Sequence, residues 1–354
     1  MTARWIALAT LAAATTACSL TCSPAYLVRA GIEEAKILDR RRPIATLLAD
    51  SATPPELRHK LALAVQARTF AREALRLDVG GSYTTYAPLD RDTLLLVLSA
   101  ARKDRFEPVT WWFPIVGRVA YKGFFDPDDA RREAERLERR GYDTYLRPSS
   151  AFSTLGWLDD PLLSSLLRSD DVDLVSTVIH ELTHNTLYLP SQASFNESFA
   201  SFVGDRGAIA FFCALEGDDG PRCRLARDRW HDSLLFARFL TRLIAELEAL
   251  YARPDLATPD RLALREEIFR RARDRFRDEV APRLATDAYR GFPRATLNNA
   301  SLIARRLYYD RLDLFEAAFH RHGQDLRATV HAILAEARAT PGQPFAALAR
   351  LATR

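Results

Sequence analysis

Apolar residues recur at helical spacing over much of the chain. From Tyr26 to Arg41 this spacing predicts a helix that ends before Pro43, and from Pro54 to Leu75 it predicts a longer amphipathic helix. After Gly80 the pattern changes, because "DTLLLVLSA" and "TWWFPIVGRVAYKGFF" combine β-branched and aromatic residues with glycine and proline. These stretches predict a small sheet in the first half of the chain.

The second half of the chain has a helical pattern almost throughout. Before it, "DPDDARREAERLERR" predicts a capped surface helix that ends at Gly141, and from about Asp171 onward one predicted helix follows another. The breaks are rich in proline and glycine, and they fall near residues 190, 217–221, 254–259 and 291–293. We therefore predict an α+β fold in which a small N-terminal sheet precedes a mostly helical body.

The composition is that of a globular protein. The chain has 354 residues, of which 48% are hydrophobic and 27% charged, enough to bury a substantial core. Residues 23–354 are interpreted as one domain, with helices and the sheet in 23–170 and the helical part in 171–354. The net charge of +4 comes from arginine mixed with acidic residues, without a basic stripe backed by aromatics. Nucleic acid is therefore not expected as a partner, and no oligomeric state is predicted.

Residues 1–22, "MTARWIALATLAAATTACSLTC", have the features of a secretory signal. One basic residue precedes an apolar run too short to span a bilayer, and small residues and two cysteines follow. The pattern also suits a bacterial lipoprotein, with the lipid on either Cys18 or Cys22, and cleavage without a lipid is the alternative. We expect an exported protein, anchored to the membrane by the lipid and facing the periplasm. No later segment is expected to be long and apolar enough to span a membrane.

The other two cysteines, Cys213 and Cys223, enclose the short stretch "ALEGDDGPR". An exported protein meets an oxidising compartment, in which two cysteines at this spacing can form a disulfide. If Cys22 carries the lipid, cleavage removes Cys18 and leaves these two cysteines to pair. We therefore predict a disulfide between them.

Two of the seven histidines lie four residues apart on the helix predicted from about Asp171 to Tyr188. At this spacing His180 and His184 project from one side of the helix, about one turn apart, and both can reach a single Zn²⁺. Glu181 follows the first histidine and is positioned to contact a metal-bound water. This is the H-E-x-x-H pattern of zinc peptidases.

A catalytic zinc ion needs a third protein ligand, for which we predict Glu197. Pro190 closes the first helix, residues 191–194 form a polar turn, and Glu197 lies in the first turn of the next helix. A tight helix-turn-helix would bring this carboxylate to the two imidazoles. The alternative is a purely structural role, because buried helical histidines are more often structural than ligands. Of the remaining histidines, only His231 is considered as an active-site donor.

The predicted site would bind one zinc ion and leave one position open. Zinc lowers the pKa of a bound water toward about 7, Glu181 accepts the proton, and it later passes the proton to the leaving amine. A second donor usually stabilises the tetrahedral oxyanion, and Tyr308 is the candidate, with Tyr309 next to it. Ordinary aromatic packing is the alternative for both. The stretches "YKGFF" and "FSTLGW" are candidates for the cleft wall, with Tyr121 and Trp157 lining a pocket.

The stretch "HELTHNTLYLPSQASFNESFASFV" resembles the signature of a predicted bacterial aminopeptidase family. Members of this family are zinc-metallopeptidase-like lipoproteins in which H-E-L-A-H is followed by a short loop and F-N-E-S-F-A. The resemblance continues in "LDRRRPIATLLAD", "WWFPIVGRVAYKGFF", "AFSTLGWLDDPLLSSLL" and "LNNASLIARRLYYDRLDLFEAAF". It therefore covers most of the chain that follows the signal.

The resemblance implies a zincin-like metallopeptidase fold of the gluzincin kind, with a peptide as substrate. It also implies zinc on the three predicted ligands, Glu181 as the catalytic base, and aminopeptidase activity. The chain departs from the family pattern at Thr183 and Asn185, around the second histidine, and at Arg118, where cysteine often stands. None of these positions is a predicted ligand.

Two functions from different classes are compatible with this sequence. The first is a zinc-dependent peptide-bond hydrolase, which the resemblance makes an aminopeptidase. The second is a periplasmic binding or scaffold lipoprotein that keeps a zinc-peptidase fold without turnover. The glutamate next to the first histidine favours the hydrolase, because a scaffold has no need of a general base.

Overall fold

A computed structural model describes residues 36–89, 95–113, 117–149 and 159–353. The predicted signal with its two cysteines, most of the helix expected from residue 26, and Trp157 lie outside these ranges. Over the described ranges the protein is α+β and mostly helical, and its short strands all belong to the first half of the chain. This agrees with the fold class predicted from the pattern of apolar residues.

The described ranges contain eight short strands, which form three small sheets instead of the single sheet expected. The strands are β1 Arg42–Pro43, β2 Thr85–Ala87, β3 Leu95–Arg102, β4 Trp111–Phe113, β5 Gly117–Val119, β6 Lys122–Phe124, β7 Tyr142–Ser149 and β8 Leu162–Leu163. The sheet orders are β1-β2-β8, β6-β3-β7 and β4-β5. Strand β7 pairs antiparallel with β3 along all eight residues and forms one edge of its sheet. The aromatic stretch contributes three strands of three residues each, β4, β5 and β6, of which β4 and β5 pair with each other and β6 pairs with β3.

The helices follow the order expected from the sequence, with boundaries that differ by a few residues. Those described are α1 Ile44–Ala49, α2 Pro55–Glu73, α3 Pro127–Arg139, α4 Asp171–Thr186, α5 Ala193–Glu216, α6 Pro221–Tyr251, α7 Thr258–Arg275, α8 Asn299–Tyr309, α9 Leu312–Arg321, α10 Leu326–Ala339 and α11 Pro344–Thr353. Helix α7 runs into a π-helical turn, Phe276–Val280. The predicted breaks correspond to the connections between α4 and α5, α5 and α6, α6 and α7, and α7 and α8.

Helices α4 and α5 lie at the centre of the largest apolar core, which also includes residues of α2, α9, α10 and α11. Phe195, Phe199 and Phe202 of α5 are fully buried there, and each packs against Phe315 of α9 at ring separations of 5.5–6.0 Å. Burial of such a side chain contributes about 1.5–3 kcal/mol. The two helices that carry the predicted ligands therefore belong to the most strongly packed part of the protein.

The close approach of α4 and α5 depends on a glycine. A Cβ atom on Gly204 would lie 2.7 Å from the backbone oxygen of Ser176 and 3.1 Å from the Cβ of His180. Contacts this short require the backbone to move, so only glycine fits at this crossing. The separation of the two helices at His180 is set by this contact.

Helix α5 alone, among the described residues, is long and apolar enough to cross a membrane by length and composition. On this criterion the expectation that no segment after the signal would qualify is wrong. Just over half of its most apolar window, 56%, is buried inside the protein. The apolar character of α5 is explained by its position at the centre of the core.

The start of α4 is tied to two other helices through Asp171. Its carboxylate lies 2.9 Å from Lys60 Nζ on α2 and 2.8 Å from Arg222 Nη1 on α6. Burial alone would raise the pKa of Asp171, but hydrogen bonds from Lys60, His59 and Arg222 lower it to about 2. A disulfide between Cys213 and Cys223 joins the end of α5 to the start of α6.

Candidate metal centre

Helix α4 presents the H-E-x-x-H residues from a well-defined frame. Its first turn is capped by Asp170, whose side chain accepts hydrogen bonds from the backbone nitrogens of Val172 and Asp173. The helix ends at Thr186, where Leu187 is extended and Pro190 follows within four residues. The imidazoles therefore lie in the second half of the helix, close to the turn that leads to α5.

Asn196 holds that turn in place. Its side-chain oxygen accepts a hydrogen bond from the backbone nitrogen of Leu189 at 3.0 Å, and its amide nitrogen donates to the Leu189 oxygen at 2.8 Å. Both bonds are buried, so they fix the angle at which the chain enters α5. The next residue, Glu197, consequently faces the end of α4.

Three side chains from the two helices meet at one point. The Nε2 atoms of His180 and His184 are 3.2 Å apart, and Glu197 Oε2 lies 3.4 Å from the first and 3.7 Å from the second. Ligand atoms bound at zinc distances around one tetrahedral centre are separated by about 3.3–3.4 Å. The three atoms therefore have the spacing of ligands of a single ion, and two imidazoles with one carboxylate form a donor set that suits zinc.

The three side chains are largely buried, so the charges of the carboxylate and the imidazoles interact strongly with one another. The exposed fractions of the three side chains are 15% for His180, 5% for His184 and 12% for Glu197. Burial alone would raise the pKa of Glu197, but its contacts with the two imidazoles hold the pKa well below its usual range. Burial would likewise lower the pKa of His180, yet Glu197, Glu181 and Asp205 together raise it. Glu197 is thus a carboxylate, the form in which it can bind a metal.

Glu181 and Tyr308 lie beside this group. The ring of Tyr308, on α8, stacks near that of His180 with centroids 6.3 Å apart. Burial raises the pKa of the Tyr308 hydroxyl, and the charges of Glu197 and Glu181 raise it further. Arg147 Nη2 donates a hydrogen bond of 2.9 Å to the tyrosine oxygen, which leaves the hydroxyl hydrogen able to donate elsewhere.

Two serines of α5 hold the end of α8 close to the metal group. Ser198 Oγ donates to the backbone oxygen of Leu307 and accepts from the backbone nitrogen of Asp310, at 2.9 and 3.0 Å. Ser194 Oγ donates to the Asp310 carboxylate at 2.7 Å. Tyr308 lies between these two anchor points, so its position relative to Glu197 is fixed through α5.

Other residues singled out in the sequence lie elsewhere. The hydroxyl of Tyr309 is 3.0 Å from that of Tyr289, and its ring packs on Phe236 in the core between α6 and α7. His231 is exposed on α6 and does not belong to the metal group. Tyr121, between β5 and β6, lies closer to the site. Burial raises the pKa of its hydroxyl, and the charge of Glu197 raises it further, which places Tyr121 within the electrostatic reach of the metal group.

The positions that depart from the family pattern have ordinary structural roles. Thr183 is fully buried, and its hydroxyl donates to the Ile179 backbone oxygen at 2.8 Å. Asn185 donates to the hydroxyl of Ser82 at 3.1 Å, and the exposed Arg118 donates to that of Thr110 at 3.3 Å. None of these contacts disturbs the three converging side chains.

Several residues of the site were missed in the sequence. Tyr188 packs edge-on against His184 at 6.5 Å, and its four-residue spacing from that histidine could have indicated the contact. Asp205 accepts a hydrogen bond of 2.6 Å from Ser176 on α4 and acts on the charge of His180. Arg147 reaches Tyr308 across 161 residues, a contact that no local pattern could reveal.

The fold and the site together define a mostly helical α+β protein with a buried two-histidine, one-glutamate group that could bind a metal ion. The chain belongs to the family described as "Putative aminopeptidase", whose model matches residues 25–346. No curated protein matches the chain. No solved structure matches it either.

Proposed function

We propose that this protein is a zinc-dependent hydrolase of peptide bonds with a zincin-like fold. The observation that carries the proposal is the convergence of His180, His184 and Glu197, whose ligand atoms are 3.2–3.7 Å apart, around the helix turn that contains Glu181. Membership of the aminopeptidase family supports a peptide as the substrate. It also supports removal of the N-terminal residue as the specific reaction.

The proposed cofactor is one zinc ion held by the two imidazoles and the Glu197 carboxylate. When bound, zinc supplies Lewis acidity, which polarises a peptide carbonyl and makes a water molecule a nucleophile near neutral pH. Three protein ligands leave room for water and substrate, as hydrolysis requires.

Two residues of this chain have separate roles in the proposed reaction: Glu181 transfers protons, and Tyr308 stabilises the developing charge. Glu181 accepts a proton from the attacking water and delivers it to the amine that leaves when the peptide bond breaks. Tyr308 donates its hydroxyl hydrogen to the oxygen on which negative charge develops. The bond from Arg147 orients that hydroxyl, because the tyrosine oxygen already accepts from the guanidinium.

The test compares the wild type with Glu181→Gln, loaded with zinc, on a mixed peptide library. We expect equal zinc content in both proteins and cleavage by the wild type alone. Glu73→Gln is the control, because Glu73 is an exposed residue of α2 whose described ion pair is with its neighbour Arg72. A zinc-loaded wild type that cleaves no peptide would instead favour the non-catalytic scaffold. Libraries with free and blocked amino termini distinguish an aminopeptidase from an endopeptidase.

We also propose that the protein is exported and anchored to the membrane through a lipid on Cys18 or Cys22. The disulfide between Cys213 and Cys223 supports an oxidising compartment, because reducing compartments keep such pairs open. Incorporation of a labelled fatty acid into the wild type, Cys18→Ser and Cys22→Ser tests the anchor. Loss of the label in one variant identifies the modified cysteine, and an unlabelled wild type would contradict the anchor.

A further inference from the structure

Arg147 occupies a position next to the proposed catalytic group. Its side chain leaves β7 and lies over the ring of Tyr308, with the guanidinium carbon 5.3 Å from the ring centroid. The same ring stacks 6.3 Å from that of His180. The ring of Tyr308 is therefore a neighbour of both Arg147 and the metal group.

Arg147 has no carboxylate partner among the described residues, unlike other enclosed arginines. Arg265 pairs with Asp143 at 2.8 Å and Arg275 with Glu246 at 2.7 Å. The side chain of Arg147 instead bonds the neutral Tyr308 hydroxyl. Its Nε, like that of Arg275, is buried without a hydrogen-bond partner in the described chain, but Arg147 has no described ion pair to offset this. Enclosing a permanent charge in this way is costly unless an anion completes the site.

A second arginine on the same wall has the same property. Arg305 of α8 lies over the ring of Tyr145 at 5.8 Å, and its Nε is also buried without a partner in the described chain. Tyr145 and Arg147 lie on one face of β7, and Arg305 and Tyr308 are neighbours on one face of α8. The boundary between β7 and α8 therefore carries two guanidinium groups that form no ion pair with a described carboxylate.

We infer that Arg147, supported by the charge of Arg305, binds a carboxylate of the substrate beside the metal centre. This inference rests on the proposed function, since a carboxylate is the anion that a peptide carries. The guanidinium fork matches a carboxylate in geometry and binds it more strongly than a neutral carbonyl. Glu197 acts on the charge of Arg147 without forming a described ion pair with it, because both imidazoles already engage the Glu197 carboxylate. The carboxylate comes either from the C-terminus of a short peptide or from an acidic side chain near the cleaved bond.

The test uses three tripeptide libraries with the wild type and Arg147→Gln, both loaded with zinc. The first library has free C-termini, the second has C-terminal amides, and the third has C-terminal amides with an aspartate in each peptide. We expect the wild type to prefer free acids over amides by about 10- to 100-fold in kcat/KM. In Arg147→Gln this ratio should fall to about one. If the wild type cleaves the third library as fast as the first, and faster than the second, the carboxylate that Arg147 binds can come from an acidic side chain.

Two outcomes would overturn the inference. One is a wild type that does not distinguish the acid libraries from the neutral amides. The other is an Arg147→Gln variant that loses activity on all libraries in equal proportion, because Arg147 would then only orient Tyr308. Arg140→Gln is the control, since Arg140 also lies over a tyrosine ring, that of Tyr142, at the opposite end of β7. It should keep the wild-type preference.

A binding measurement separates failure of this inference from failure of the proposed function. Calorimetry with zinc-loaded Glu181→Gln measures binding of a free-acid tripeptide and of its amide without turnover. We expect about 10-fold or greater preference for the acid, lost when Arg147→Gln is added. If the wild type cleaves nothing while this preference is present, the hydrolase proposal fails and the carboxylate site stands. Equal binding of acid and amide contradicts the carboxylate site even when the enzyme is active.

Discussion

Asn196, Glu197 and Ser198 are adjacent in the chain and fix three different parts of the site. Asn196 holds the turn at Leu189, Glu197 faces the two imidazoles, and Ser198 binds the backbone at the end of α8. Successive residues of a helix point about 100° apart, so three neighbours can reach three different elements. The short sequence N-E-S therefore couples the ligand carboxylate to the helix turn and to Tyr308.

The residues of the metal group could be predicted from local patterns, whereas their neighbours could not. His180 and His184 follow from helical spacing, and Glu197 from the length of a helix-turn-helix. Arg147 comes from a different segment and reaches the site only because β7 packs beside α8. Its contact depends on the tertiary structure, for which the sequence contains no local signal.

We predict that Tyr308→Phe reduces kcat by roughly 100-fold while zinc content and KM change little. The reason is that a raised pKa keeps the hydroxyl protonated and able to donate to the oxyanion. Steady-state kinetics on a cleaved peptide measure the effect. Tyr309→Phe is the matched control, because it removes a hydroxyl that bonds Tyr289 away from the metal group. Equal losses in the two variants would argue against a catalytic role for Tyr308.

At the scale of elements, the contact between α4 and α5 sets the geometry of the ligands. We predict that Gly204→Ala destabilises the protein by about 1–3 kcal/mol and weakens zinc binding, because the added methyl group meets the Ser176 backbone 2.7 Å away. Its gain in helix propensity, about 1 kcal/mol, is smaller than this clash. Denaturant unfolding and a competitive zinc titration measure the two effects.

Gly291→Ala is the control for this substitution. Gly291 has φ −76°, and a Cβ atom added to it would meet no described atom within 4 Å, so alanine fits there. We expect no loss of stability in this variant. If Gly204→Ala binds zinc as tightly as Gly291→Ala, the helix contact does not control the ligand geometry.

The ties at the start of α4 make stability depend on pH. The folded pKa of Asp171 is about 2, below its ordinary value of 3.8, so its ion pairs stabilise the protein above about pH 4 and are lost as pH falls through about 2. We predict that Asp171→Asn costs about 1–2 kcal/mol near pH 6, discounted for partial exposure. The difference from the wild type should shrink as the pH is lowered from 5 toward 2.

Denaturant unfolding at a series of pH values measures this difference. Asp128→Asn serves as the control, because Asp128 is an exposed residue of α3 with 70% of its side chain accessible. We expect it to unfold like the wild type at each pH. A constant penalty for Asp171→Asn across the series would rule out titration of this carboxylate as the cause.

Helices were easier to predict than sheets for a physical reason. Helix hydrogen bonds are local, so the bounds of α2, α4 and α5 follow within a few residues from spacing and breaks. Sheet pairing is not local, and the strand-like stretch from residue 111 to 124 contributes to two different sheets. The parallel pairing of β2 with β8, which are far apart in the chain, has no signal in either segment.

At the scale of the whole molecule, we predict that zinc stabilises the fold. Binding to the folded chain alone adds about 4 kcal/mol when free zinc exceeds the Kd 1,000-fold, and this raises the Tm by several degrees. A thermal melt with zinc and with a chelator measures the shift. The shift should vanish in His184→Ala. Each protein is compared with itself, with zinc and with chelator, so a lower stability of the variant does not affect the result. An equal shift in that variant would mean that zinc binds elsewhere.

The hydrogen bond from Arg147 to Tyr308 closes a loop of 161 residues around both metal-binding helices. A helix such as α4 can form within microseconds, whereas contacts between distant segments form late in folding. If the chain is the hydrolase proposed here, a half-made or partly unfolded copy carries the H-E-x-x-H helix without the groups that complete it. Such a copy would be harmless to the proteins around it, so the fold itself would do what a removable inhibitory propeptide does in other proteases.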